Sequence, residues 1–189
     1  VIGASPFPKK SPDSLWSFFL REAQIFDGYL RFDPRDTTAM TERSLLRKQC
    51  FPRPVAELFG FFADAHNLDV ITPPWLKFRV LTPAPIEMRV GTLIDYRLRL
   101  HGLPIRWRTE ITQWEPPYRF ADNQLHGPYR RWFHEHIFEE TSAGTQMTDR
   151  VTYRVPGSIF EPLIHDYFVE RDLRRIFDYR AEQLAKRFG

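Results

Sequence analysis

Arg130-Arg-Trp-Phe-His-Glu-His-Ile-Phe-Glu-Glu-Thr-Ser-Ala-Gly-Thr-Gln-Met-Thr-Asp-Arg-Val-Thr-Tyr-Arg154 decides the fold. Two alternating runs flank turn chemistry at Ser142 and Gly144, the pattern of a β-hairpin. The first strand, over 130–140, sets Trp132, His134, His136 and Phe138 on one face and Arg131, Glu135 and Glu139 on the other. The second, over 145–155, sets Met147, Asp149, Val151 and Tyr153 against Thr148, Arg150, Thr152 and Arg154. A slip of one residue would turn a row of arginines into the core, so the apolar sets face inward.

The same reading extends upstream. Strand-like runs cover 42–51, 75–81, 92–101, 105–114 and 118–125, punctuated by Pro83, Pro85, Gly91, Gly102, Pro104, Pro116, Pro117, Gly127 and Pro128. Ile94, Tyr96, Leu98 and Leu100 share a face, as do Ile105, Trp107, Thr109 and Ile111, with Asp95, Arg97, Arg99, Arg106, Arg108 and Glu110 opposite. The connections are too short for parallel crossovers, so the seven strands form an antiparallel meander. Two short helices follow the first strand. Pro54 opens one, with Val55, Leu58, Phe59 and Phe62 at helical spacing, and Leu68–Thr72 is stopped by Pro73 and Pro74. Past Pro156-Gly157 a long amphipathic helix presents Leu163, Ile164, Tyr167, Phe168, Leu173, Ile176, Phe177, Leu184 and Phe188. Ser158 with Glu161 forms a capping box there, or Pro162 is its first residue. The predicted class is α+β, a seven-stranded antiparallel sheet whose apolar face only the long C-terminal helix can cover.

At 189 residues the chain suits one domain with an extension, divided as 1–41 and 42–188. The extension opens on Pro6, Pro8 and Pro12, closes on loop residues from Pro34, and carries a helix over 15–30 ended by Gly28, the remainder being disordered or docked. With 42% hydrophobic and 27% charged residues, wholesale disorder is excluded. A net charge of +3 is too small to imply a nucleic-acid partner. The arginine-rich outer face also carries Asp95, Glu110, Glu135 and Glu139, so it reads as a mixed solvated surface. The single cysteine, Cys50, excludes a disulfide framework and a cysteine-cluster zinc site. No apolar run approaches the roughly 20 residues that span a bilayer, and no signal peptide is read, so a cytoplasmic location is expected.

Polar residues on the apolar face carry the functional signal. Asp122, Gln124, His134, His136 and Asp149 all fall there and need partners. A three-residue loop at Gly127–Tyr129 sets Asp122 opposite His134, and a four-residue loop at Thr141–Gly144 sets Asp149 opposite His136. These would be two carboxylate–histidine pairs. They serve as structural pairs, as ligand contacts, or as acid–base groups in which a carboxylate raises the histidine pKa. A metal site would need one of the aspartates as a third ligand, and none is expected.

Element order, Ala65-His-Asn-Leu-Asp-Val-Ile-Thr-Pro-Pro-Trp75, Gly127-Pro-Tyr-Arg-Arg-Trp132, His134-x-His136-x-Phe138 and Asp149-x-Val151-x-Tyr153 together resemble the SRPBCC superfamily. This is the START and pollen-allergen-like helix-grip group, with a bacterial branch of polyketide cyclase/dehydrase type, and the likeness covers about residues 42–188. It implies a sheet curled around the C-terminal helix and a cavity for an apolar small molecule. The expected function is binding of a small hydrophobic or amphipathic molecule, as carrier or sensor, with no cofactor. Tyr96, Leu98, Trp107, Phe120, Asp122, Gln124, Trp132, His134, His136, Asp149 and Tyr153 are its expected contacts. The alternatives are an aromatase/cyclase- or dehydratase-like enzyme using His134, His136, Asp122 and Asp149, and a protein-interaction module. A protein partner or second copy would act through the extension.

Overall fold

The computed structural model describes residues 24–26, 29–31, 41–155 and 165–189. Expectations for 1–23, Gly28, 34–40, Pro156, Gly157, Ser158, Glu161, Pro162, Leu163 and Ile164 lie outside the described residues. The elements are β1 (Gln24–Phe26), β2 (Tyr29–Arg31), β3 (Arg43–Phe51), α1 (Val55–Phe62), α2 (Leu68–Ile71), β4 (Arg79–Val80), β5 (Leu93–Leu100), β6 (Leu103–Glu115), β7 (Arg119–His126), β8 (Arg131–Thr141), β9 (Gly144–Arg154) and α3 (Glu170–Phe188). Single 3-10 turns at Ala65–Asn67 and Pro74–Leu76 flank α2, and a π-helical turn, His165–Val169, leads into α3.

Seven strands pair antiparallel in the order β4-β5-β6-β7-β8-β9-β3, which is the predicted meander closed by the first strand. Alternation sets the faces: Ile94, Tyr96, Leu98, Ile105 and Ile111 are buried, and Arg97, Arg99 and Arg106 are exposed. Hydrophobic burial therefore fixes the register, because the alternative would desolvate guanidinium groups. α3 lies across this inner face. Leu173 and Phe177 join Trp132, Val151 and Tyr153 in one core cluster. Leu184 and Phe188 join Phe51, Phe59, Phe120 and Phe138 in another, which α1 completes with Val55, Leu58, Phe61 and Phe62. The architecture is a helix-grip α+β fold.

Four expectations change, three of them in the extension, the 75–81 strand and the outer face. Where the extension was read as helical, residues 24–26 and 29–31 are strands. β1 pairs antiparallel with β2, and β2 meets β6 in parallel at Tyr29 and Arg106. Ile25, Phe26 and Tyr29 are β-branched or aromatic types that favour strands, and their spacing fits a helix only in part. The strand expected over 75–81 shrinks to Arg79–Val80. Pro73 and Pro74 start a tight turn and Lys77 enters the left-handed region at φ 46°, which ends any extended run before Phe78. The outer face is also less solvated than expected, because Glu135 is 3% exposed. Its carboxylate accepts from Arg119 and, at 3.1 Å, from Arg150, which is what permits its burial.

The β8–β9 turn is tighter than the predicted four-residue loop. Thr141 pairs with Gly144, leaving Ser142 and Ala143 between the strands and the register unchanged. Gly144 has φ +126°, and a Cβ there would collide with the carbonyl oxygen of Phe51 at the end of β3. Gly144→Ala should therefore lower stability by about 1–3 kcal/mol, read as a fall in the urea midpoint at constant m. An unchanged midpoint would show that the turn and β3 separate without loss.

Candidate functional site

β7, β8 and β9 bring four polar side chains to the centre of the inner face. Asp122 stands opposite His134, and His136 opposite Asp149, the expected pairings, although neither loop has its expected length: the β7–β8 ladder ends at Asn123 and Phe133, and the β8–β9 turn holds two residues. The contacts differ from two separate pairs. Asp149 serves both imidazoles, its Oδ1 lying 2.6 Å from His136 Nδ1 and 3.4 Å from His134 Nε2. Neither contact has hydrogen-bond alignment, so both are electrostatic and these atoms lack a hydrogen-bond partner. Strand rise alone would separate the two side chains by roughly 7 Å, yet their rings lie 4.0 Å apart, leaning toward the shared carboxylate. Asp122 Oδ2 is 3.9 Å from His134 Nδ1, too far for a hydrogen bond, and its Oδ1 instead accepts from Thr109 Oγ1 at 2.7 Å.

A fifth member comes from α3. Arg180 is 9% exposed, and its Nε is 3.8 Å from Asp149 Oδ2. Its guanidinium lies 5.5 Å from the Phe62 ring centre and 5.8 Å from that of Phe177. The sequence carried a signal for it: 173, 177, 180 and 184 follow helical spacing, which puts Arg180 inside the apolar stripe of Leu173, Phe177 and Leu184.

Charge in the cluster follows from burial and from Arg180. Burial alone would raise Asp149, but Arg180, His136 and His134 outweigh it and hold the carboxyl well below the usual range. Burial, with His134 and Arg180 nearby, lowers His136 to about 3 despite Asp149. The raised histidine pKa expected of a carboxylate pair is thus reversed here, because desolvation exceeds the pairing. Asp122 is raised by burial, against the pull of His134, Thr109 and Arg180. Tyr96 is pushed well above its ordinary value by burial and by Asp122 and Asp95.

Beside the cluster lies a cavity of about 190 Å³. Eight of the expected contacts line it: Tyr96, Leu98, Trp107, Phe120, Asp122, Trp132, His134 and His136. Three do not. Gln124 donates from Nε2 to the Tyr129 carbonyl at 2.6 Å and so holds the β7–β8 loop. Asp149 lies behind the histidines. Tyr153 Oη is 2.9 Å from His165 Nε2, whose Nδ1 is 2.8 Å from Asp166 Oδ1, a separate polar chain that runs from the core to an exposed carboxylate in the turn before α3. Residues missed by sequence, besides Arg180, include Phe62, Phe78, Leu173 and Phe177 on the same wall.

A family model described as polyketide cyclase/dehydrase and lipid transport matches residues 51–175. The chain belongs to this family, within the SRPBCC superfamily. No curated protein matches significantly. Among solved structures, protein CV1439 from Chromobacterium violaceum aligns with a TM-score of 0.60 at 14% identity, over 77% of this chain and 97% of that one. TTHA0849 from Thermus thermophilus gives 0.57 at 20% identity, over 78% and 96%. Major latex-like protein 151 from Panax ginseng gives 0.58 at 10% identity, over 78% and 97%. Such identities carry the helix-grip fold of this polyketide cyclase/dehydrase family member and nothing finer.

Among the described residues, two groups could present ligand atoms to a metal, Asp122 with His134 and His136, and His165 with Asp166 and Glu170. In the first, Arg180 already places a cation against Asp149, and His136 is turned to that carboxylate, so charge opposes a second cation. No helix among the described residues is long and apolar enough to cross a membrane.

Proposed function

We propose that the protein binds a small hydrophobic or amphipathic molecule in the cavity between the sheet and α3, as a carrier or sensor. The observation that carries this reading is a wall of Trp107, Phe120, Trp132 and Phe177 around about 190 Å³. An apolar cavity of roughly 150 Å³ suffices for benzene, so the size suits one or two rings better than a long acyl chain. Membership of a family described by cyclisation, dehydration and lipid transport supports a bound small molecule without selecting among those roles. Of the expected contacts, Tyr96, Leu98, Trp107, Phe120, Asp122, Trp132, His134 and His136 take part directly, while Asp149 acts by holding the histidines.

One observation favours the enzyme alternative. The carboxyl of Asp122 is raised by burial and lines the cavity, which suits a general acid. His136, held neutral, lacks the imidazolium proton that a general acid would donate. An acid–base cycle would therefore pass through Asp122 rather than through a histidine pair.

A small environment-sensitive naphthalene dye should bind the full chain with a blue shift. Leu98 is buried and faces the cavity, so Leu98→Trp fills the space and should weaken dye binding about tenfold or more while unfolding stays cooperative. Unchanged affinity in the folded variant would mean that the dye does not enter this cavity, and the reading would fail.

A further inference from the structure

The polar corner of the cavity holds a guanidinium whose hydrogen bonds are unmade. Arg180 Nε and Nη2 are both buried without a hydrogen-bond partner, as are Asp149 Oδ1 and the imidazole nitrogens His134 Nε2 and His136 Nδ1 that crowd it. The one carboxylate beside them, Asp149, is shared among Arg180, His134 and His136 at 3.8, 3.4 and 2.6 Å. Asp122, the other carboxyl, is engaged by Thr109. Buried polar groups in native proteins find partners, so an unpartnered guanidinium on a cavity wall points to an acceptor that enters from the cavity. A guanidinium offers a planar fork that fits a carboxylate with two parallel hydrogen bonds, which a lone carbonyl or hydroxyl would not fill. The rest of the wall is aromatic, with Trp107 and Trp132 edge-to-face at 5.2 Å and Phe120 stacked on His136 at 4.2 Å. These surfaces favour flat rings.

We propose that the cavity ligand is an aromatic carboxylate of one or two rings, its carboxylate received at Arg180 and its rings set against Trp107, Phe120 and Trp132. The inference rests on the cavity-binding reading above and narrows it to a charge and a shape. Arg180 comes from α3 and the rings from β6, β7 and β8, so such a ligand would bridge the helix to the sheet.

Calorimetric titration of the full chain with naphthoate and with naphthamide separates the claims, because the rings are shared and only the charge of the head differs. Naphthoate is expected to bind tighter by about tenfold or more. Arg180→Met should erase that preference, and Arg180→Lys should keep part of it. Equal affinities in the wild-type chain would overturn the carboxylate inference and leave the cavity reading standing. A preference that survives in folded Arg180→Met would overturn Arg180 as the receiving group. Binding of neither probe would overturn both. The wild-type comparison needs no variant, so a misfolded Arg180→Met cannot blunt it.

Discussion

Asp149→Ala is expected to lower folding stability by about 3–5 kcal/mol, the range for removing one partner from a buried charge cluster. The Asp149 side chain is 7% exposed and faces Arg180, His136 and His134. Its loss leaves the guanidinium buried between Phe62 and Phe177 with no carboxylate beside it. Arg180 leaves α3 in the middle of that helix, flanked by Phe177 and Leu184 in the core, so it cannot reach water without disturbing them. Asp149→Leu with His136→Phe should recover only part of the loss, because Arg180 stays unpaired. Adding Arg180→Met should recover most of it, since a fully apolar replacement of a buried ion cluster is often neutral or stabilising. Urea unfolding at pH 7 reads all three. A loss under about 1 kcal/mol for Asp149→Ala would mean that water reaches the cluster and that burial does not govern its energy.

How much of this was legible depends on the kind of periodicity that each element carries. Period-two alternation with arginine on the outer face leaves no second solution, so β5, β6, β8 and β9 are read correctly, faces included. Register is legible for the same reason. The β8–β9 turn has two residues between the strands where four were expected, yet Asp149 still meets His136, because symmetric shortening of a loop preserves pairing. What alternation cannot supply is the reach of side chains. It places Asp122 across from His134, but Thr109 on the neighbouring strand takes its oxygen instead. It also says nothing of the sign of a pKa shift, which depends on desolvation that only a packed interior sets. Arg180 and Glu135 share a cause: each is a charged residue held in the interior by opposite charge, which residue type alone does not reveal. Strand signals in the extension were weaker, because Ile25, Phe26 and Tyr29 satisfy strand propensity and part of a helical stripe together.

Lowering the pH from 7 to 5 should remove about 2 kcal/mol of stability through His136 alone. Its folded pKa is held at about 3, chiefly by burial, and the unfolded value is roughly 6.5. Above the unfolded value both states carry a neutral ring and the residue contributes no pH dependence. Below it the unfolded chain takes up a proton that the folded chain refuses, so stability falls by up to about 1.4 kcal/mol per pH unit. The loss continues until the pH reaches the folded value. The two aspartates act elsewhere. The depressed Asp149 contributes stability above its unfolded pKa that is lost as pH falls through its lower folded one. Asp122, raised, has the opposite sign: its contribution is present at low pH and is lost as pH rises through its folded pKa. A comparison of wild type with His136→Phe at pH 7 and pH 5 cancels the other histidines, which both proteins share. The difference in unfolding free energy between the two pH values should be about 2 kcal/mol smaller in the variant. If the two proteins lose stability equally, the imidazole is protonating inside the fold, and attraction to Asp149 at 2.6 Å then outweighs desolvation in setting its charge.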